Sequence, residues 1–385
     1  MAIIQPIAAR QEELTQWRQH LHAHPEIGFE EVETARFVAE RLTEAGIPFH
    51  SGLARTGVVG VIEGRPGPRN IGFRADMDAL PMTEAGTPAW RSTIDGKFHG
   101  CGHDGHTVML LAAAQHLAHT RDFDGTVFAI FQPAEEGLGG GRVMVEDGLF
   151  ERFPCDEIYA LHNMPLIPKG QASVRAGAAL ASFDLFDVTI HGKGGHAAMP
   201  HKTVDAGLVM AYAATALQAL IARETDPLTS AVLSITQMHV GTTHNVIASE
   251  ASLQGTVRAL DSDVRARIEE GFHRVIEHVA QAHRATASIA YKREYPALVN
   301  DRAAAKHAEH AITKVLGASS IASGFPPLMA ADDFAFMLQA RPGAYILLGQ
   351  GNGPDTRMVH HPEYDFLDDV IPLGASILVA LTAST

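Results

Sequence analysis

The side chains with the most chemical potential fall in four short stretches. The first is "HGCGHDGH", residues 99–106, in which a thiol, imidazoles and a carboxylate are punctuated by glycine. In extended geometry Cys101 and His103 would project the same way, as two ligands of one metal centre must, and the glycines let the backbone crowd close. The competing reading is a glycine-rich turn that merely caps a helix starting near Thr107. The second stretch, "FQPAEEG", sets Glu135 and Glu136 just beyond an apolar strand that Pro133 stops. One carboxylate can bind a cation while its neighbour moves protons; a solvated acidic turn is the plain alternative. The third, "YALHN", places His162 after a strand, as a ligand or as a satisfied core histidine. The fourth, "RMVHHPEYDF", adds His360 and His361 late in the chain. Each is weak alone. Together they are mixed nitrogen, oxygen and sulfur donors, a set that suits zinc, manganese or cobalt better than magnesium or calcium.

Such scattered donors need a scaffold that gathers them. "QEELTQWRQHLHAHPEIGFEEVETARFVAERLTEAG" predicts two helices interrupted at Pro25, with Leu14, Trp17 and Leu21, then Phe37, Val38 and Leu42, at helical spacing. "GVVGVIEG", "NIGFRADMD", "GTVFAIFQPAEEG" and "DEIYALHNMP" are short β-rich runs with helical segments between them. That alternation predicts a layered α/β domain with its polar motifs at strand ends. From Phe183 the texture changes to β-α-β-β-α-β, ending at "TASIAYKREY", the order of a split βαβ unit with both helices on one face. We therefore expect an inserted domain at 181–294 and a discontinuous one at 1–180 and 295–385.

Composition narrows the function. The chain has 385 residues, 46% of them apolar, and none of its uninterrupted apolar runs approaches the roughly 20 residues of a membrane span. The apolar patch at the start is too short for a secretory signal, and the cysteines are only Cys101 and Cys155, so reduced thiols in the cytoplasm are expected. A net charge of -14 without a basic block argues against nucleic acid. Most of the 22 histidines are expected on the surface.

In order along nearly the whole chain, "RQHLHAHPEIGFEE", "GFRADMDALPM", "HGCGHDGHTVMLL", "QPAEEG", "ALHN", "GKGGHAAMPH", "NVI", "GTVRAL" and "VHHPEYDF" resemble the M20 metallopeptidase family. The likeness is to its amidohydrolase branch of hippurate, N-acyl-amino-acid and plant auxin-conjugate hydrolases. The resemblance implies a two-zinc-exopeptidase-like α/β catalytic domain with an inserted α+β, ferredoxin-like lid through which subunits dimerise, or assemble further into tetramers. It implies two divalent metal ions, Mn2+, Zn2+ or Co2+, on Cys101, His103, Glu136, His162 and His360, with Cys101 bridging and Glu135 as catalytic base. It also implies that His196, in relatives often supplied by the partner subunit, polarises the scissile carbonyl. Asn245 and Arg258 would hold the substrate's α-carboxylate, although Arg258 could equally serve a salt bridge on a lid strand.

Three departures stand out: "NVIASE" replaces Asn-Val-Ile-Pro, "AADDFAF" replaces Glu-Asp-Phe, and "HAHPE" is read as a helix broken by Pro25. Asp332 and Asp333 receive no catalytic role. Asp76 and Asp104 are expected to orient ligating histidines. The activity so implied is metal-assisted hydrolysis of the amide of an N-acyl amino acid. A dipeptidase or aminopeptidase of the same fold, a hydrolase with Cys101 as nucleophile and His103 or His106 as base, and a non-catalytic metal-binding module are the alternatives.

Overall fold

The computed structural model describes residues 3–383, which form two compact units. The first takes the chain up to Gly177, Val299–Pro326 and the chain from Asp332 onward; the second takes Ala178–Leu298 and Pro327–Ala331. The 327–331 segment, expected in the first unit, joins the second because Leu328 donates its N–H to the Ala179 carbonyl at 3.0 Å.

The first unit is built on a mixed seven-stranded sheet. At its centre Asp124–Gln132, Arg65–Asp76, Glu157–Pro168 and Gly343–Gly351 lie side by side and parallel. Gly57–Glu63 and then Phe49–Leu53 continue the sheet antiparallel on one side, and Ala172–Ser173 closes the other. The central strands read as apolar runs rather than alternations because helices cover both faces. The helix His103–Thr120 is buried from His103 to Ala114, and its alanines let it lie close to the strands. Helices Gln11–Ala23 and Val32–Glu44, separated around Pro25, add Leu14, Trp17, Leu21, Val38 and Leu42 to the same core. Since the four central strands run one way, their carboxyl ends share one edge of the sheet. There Asp76 is register partner to Gln132, and Leu347 to His162.

The second unit holds a four-stranded antiparallel sheet of Phe183–His191, Ala231–Val240, Glu250–Ala259 and Thr286–Tyr295. Their spatial order is second, third, first, fourth, so the third strand separates the pair joined by the first helix, as a split βαβ unit requires. Helices Ala206–Glu224 and Ser262–Ala282 pack on the sheet through Val209, Met210, Leu217, Ile268, Phe272 and Ile276. By length and composition Ala206–Glu224, at mean hydropathy 1.3, is apolar enough to cross a bilayer, although Thr215 and Gln218 interrupt its apolar run.

Candidate metal centre

The thiol and the first imidazole do not reach the site by strand alternation. Gly102 takes φ 93°, turning the chain so that His103 opens the helix rather than Thr107. No other residue fits there, since a Cβ on Gly102 would stand 2.7 Å from both Asn163 Oδ1 and Tyr364 Oη. His103 is buried, and its Nδ1 lies 2.9 Å from the Asp78 carbonyl oxygen and 3.3 Å from Asp78 Oδ1. A carbonyl only accepts, so Nδ1 carries a proton, which leaves Nε2 as the nitrogen able to face a cation. His162 is arranged alike: Nδ1 donates to the Asn163 carbonyl at 2.7 Å, leaving Nε2 3.5 Å from Cys101 Sγ.

These atoms converge in two neighbouring groups at the carboxyl edge of the sheet. Ligand atoms of Asp76, His103, His106 and His162 lie within 4.8 Å of one another, and so do those of Cys101, Glu136 and His360. His103 Nε2 and Glu136 Oε1, 3.9 Å apart, link the groups; both are buried, and neither has a hydrogen-bond partner among the described residues. His360 Nε2 is 3.3 Å from the same Glu136 oxygen. Leaving buried lone pairs unmatched costs free energy that a cation between them would recover. Softness also fits, with one sulfur, three imidazoles and a carboxylate among the predicted ligands. All five are therefore brought together, and the donor set suits a pair of transition-metal cations.

His106 and Asp76 are close but already committed. His106 Nδ1 donates to Asp76 Oδ1 at 2.6 Å and its Nε2 is 2.6 Å from Asn163 Oδ1, while Asp76 Oδ2 accepts from Arg74 at 2.7 Å. Asp76 thus orients His106, and the orienting of His103 falls to Asp78. Asp104 accepts from His22 Nδ1 at 2.8 Å.

The two glutamates sit on a strained turn. Ala134 has φ 56° and His360 φ 67°, both left-handed conformations that residues with a Cβ avoid. His360 is held there by its N–H donating to the Gly100 carbonyl at 2.7 Å, next to Cys101. Glu136 N–H donates to Asp78 Oδ2 at 2.9 Å. Beneath, Arg74 is buried and paired with Asp76, Asp332 and Asp333, with Nε donating to Gln132 at 2.8 Å. Glu135 shares a 4.8 Å neighbourhood with Asp332 and Asp333. Burial, then Asp332, Glu136 and Asp333, push its carboxyl well above the usual carboxylate range. The neighbouring Cys101 and Glu136 raise His360 to about 10. The cluster's own residues are rich in negative charge and favour added positive charge. Burial and then Glu136 push the Cys101 thiol up.

The other three predicted residues belong to the second unit. His196 and Asn245 are neighbours: Gly195–His196 pairs with Val246–Ile247, and Ala197 N–H donates to the Asn245 carbonyl at 3.0 Å. Both side chains are exposed. Arg258 lies on Glu250–Ala259, its guanidinium 4.8 Å from the Phe183 ring centroid and its Nη1 donating to the Met329 carbonyl at 3.0 Å. A backbone carbonyl anchors it, where a lid-strand salt bridge was the alternative to carboxylate binding.

An open α/β sheet whose strand ends collect thiol, imidazole and carboxylate donors around a buried carboxylate defines a dinuclear metal-dependent hydrolase. The chain belongs to peptidase family M20/M25/M40, whose model matches residues 72–384, and it is an amidohydrolase of that family. It is 36% identical over 381 residues to the hippurate hydrolase of Campylobacter jejuni, covering 99% of this chain and 98% of that one. It is 37% identical to the IAA-amino acid hydrolase ILR1-like 2 of Arabidopsis thaliana, covering 96% and 85%. Among solved structures, the Bacillus subtilis YXEP protein, a dinuclear metal binding peptidase from the M20 family, superposes with a TM-score of 0.85 at 30% identity, covering 97% and 98%.

Proposed function

We propose that this enzyme hydrolyses the amide bond of N-acyl amino acids, releasing a carboxylic acid and a free amino acid. The observation that carries the reading is the pair of orphaned buried atoms, His103 Nε2 and Glu136 Oε1, beside the Glu135 carboxylate. Support for the substrate class comes from the relatives named for hippurate and for IAA-amino acids, compounds in which an acyl group is joined by an amide to an amino acid.

In this reading Cys101, His103, Glu136, His162 and His360 would hold two divalent cations, manganese, zinc or cobalt. Such a pair, when bound, acidifies water and offsets the charge that builds on the carbonyl oxygen. Glu135 takes a proton from the attacking water and returns it to the departing nitrogen. His196 donates to the developing oxyanion. Asn245 and the donors of Arg258 not spent on Met329 grip the free α-carboxylate, for which a planar guanidinium is well shaped.

The same reading places the enzyme in the cytoplasm as a homodimer, or a tetramer, with no nucleic-acid or membrane partner. Ala231–Val240 is an edge strand with Met238 and Val240 exposed, and Leu208 and Tyr212 are exposed on the adjoining helix, an apolar surface that a second copy would cover.

The test is a mass-spectrometric screen of benzoyl, acetyl, indoleacetyl and longer acyl amino acids with metal-reconstituted protein. Release of free amino acid from at least one acyl class is expected. A fully metal-loaded protein that cleaves none of them contradicts the proposal.

A further inference from the structure

The segment "HPEIGFEE", residues 24–31, supplies none of the candidate ligands, yet its Gly28 and Glu31 lie against the Glu135 turn. Glu31 is fully buried. Its Oε1 accepts the Ala134 N–H at 2.8 Å, and its Oε2 accepts from Thr56 Oγ1 at 2.7 Å. Ala134, at φ 56°, immediately precedes Glu135, so its backbone angles set the direction in which that carboxylate leaves the turn. A left-handed residue with a Cβ persists only where its surroundings over-determine it. Glu31 is one such constraint. Gly140 is a second, its N–H donating to the Ala134 carbonyl at 2.9 Å. Gly28 is a third: a Cβ there would stand 3.0 Å from both Cα and Cβ of Ala134.

We propose that Glu31 is a positioning residue for hydrolysis, holding Ala134 in its left-handed conformation and thereby aiming the Glu135 carboxylate. The inference rests on the reading of Glu135 as the proton carrier. What it demands of residue 31 is an acceptor facing Ala134. Glutamine keeps an oxygen there and can turn its amide nitrogen toward Thr56 Oγ1, whereas alanine leaves the Ala134 N–H buried and unmatched.

The experiment compares wild type, Glu31→Ala, Glu31→Gln, Gly28→Ala and Glu135→Gln as full-length, manganese-reconstituted proteins. It measures kcat and KM on N-benzoylglycine, cations bound per chain, and deuterium exchange of the 131–140 peptide. Small misplacements of a reacting group cost up to about 100-fold, so Glu31→Ala is expected to lose at least about 10-fold in kcat, with KM within about twofold and cation content unchanged. Its 131–140 peptide exchanges faster. Glu31→Gln returns kcat and exchange close to wild type, and Gly28→Ala, whose added methyl would crowd Ala134 and Leu138, lowers kcat in the same way. A folded Glu31→Ala with wild-type kcat and exchange overturns the proposal, as does a Glu31→Gln no better than Glu31→Ala. If Glu31→Ala does not fold, wild-type kcat and exchange in Gly28→Ala overturn it instead. Full activity in Glu135→Gln removes the underlying reading; an inactive Glu135→Gln beside an unaffected Glu31→Ala retires the Glu31 inference alone.

Discussion

The cluster at the strand ends and the His196–Asn245 ribbon of the second unit hold their polar groups in different ways. His103, buried, has its Nδ1 fixed by Asp78, and Asp78 in turn takes the N–H of Glu136. His196 is exposed, and its Nδ1 accepts a local bond from Ala198 N–H at 3.1 Å. Asn245 is exposed as well, with Thr243 Oγ1 donating to its Oδ1 at 3.3 Å. Groups of the first kind are set before any substrate arrives and are bound up with the stability of the core; those of the second are free to move at little cost to the fold. Removing a cation-holding group of the cluster, or its support, should therefore disturb chemistry and cation binding together, and removing one from the ribbon should disturb chemistry alone.

The largest effect is expected from Glu135→Gln. Loss of the proton carrier should lower kcat by about 10³-fold, in the range of general acid–base catalysis, while the protein still binds two cations. Retention of substantial activity would place the base elsewhere. His196→Ala should cost about 10²-fold in kcat, as loss of an oxyanion donor does, with no change in the unfolding midpoint or in cation content. A drop in thermal stability there would break the contrast between the two regions. Asp78→Ala should weaken cation affinity by about 10–100-fold, the usual effect of losing the group that orients a metal-binding histidine; titration of stripped protein reads this directly.

The smallest effect is a pH dependence of stability behind the cluster. Burial opposes charge on His22, but the bond to Asp104 and the Glu84 carboxylate 3.5 Å away win and raise it to about 9. The unfolded chain would release that proton near 6.5, so the folded state binds more protons between the two values. The stabilisation is complete below about 6.5 and is lost as pH rises through 9. Melting curves across that window should show the loss in wild type and little of it in Asp104→Asn.

Much of the site was legible because its chemistry lives in residue types: a thiol, imidazoles and paired carboxylates at the ends of apolar runs. The split βαβ order of the second unit was equally readable, since Phe183–His191 and Glu250–Ala259 alternate and both helices carry apolar stripes. What stayed hidden depends on backbone geometry and long-range acceptors. That His103 starts a helix follows from the φ of Gly102, and "GCGHDGH" is equally compatible with an extended segment. Asp78 and Glu31 act on backbone N–H groups 58 and 103 residues away, and no pattern in their own neighbourhoods announces it. The carbonyl of Met329 against Arg258 is of the same kind. For Asp78 a signal did exist: "DMD" puts two acidic groups two residues apart where a strand enters the site, so that both can back the imidazoles.

Stripping the protein with chelator and titrating manganese back, while counting bound ions and released amino acid in the same sample, tests the central claim most directly. Activity should vanish on stripping and return in step with the binding of two ions per chain. A stripped protein that still turns over substrate, or one that regains full activity with no ion bound, would contradict the account.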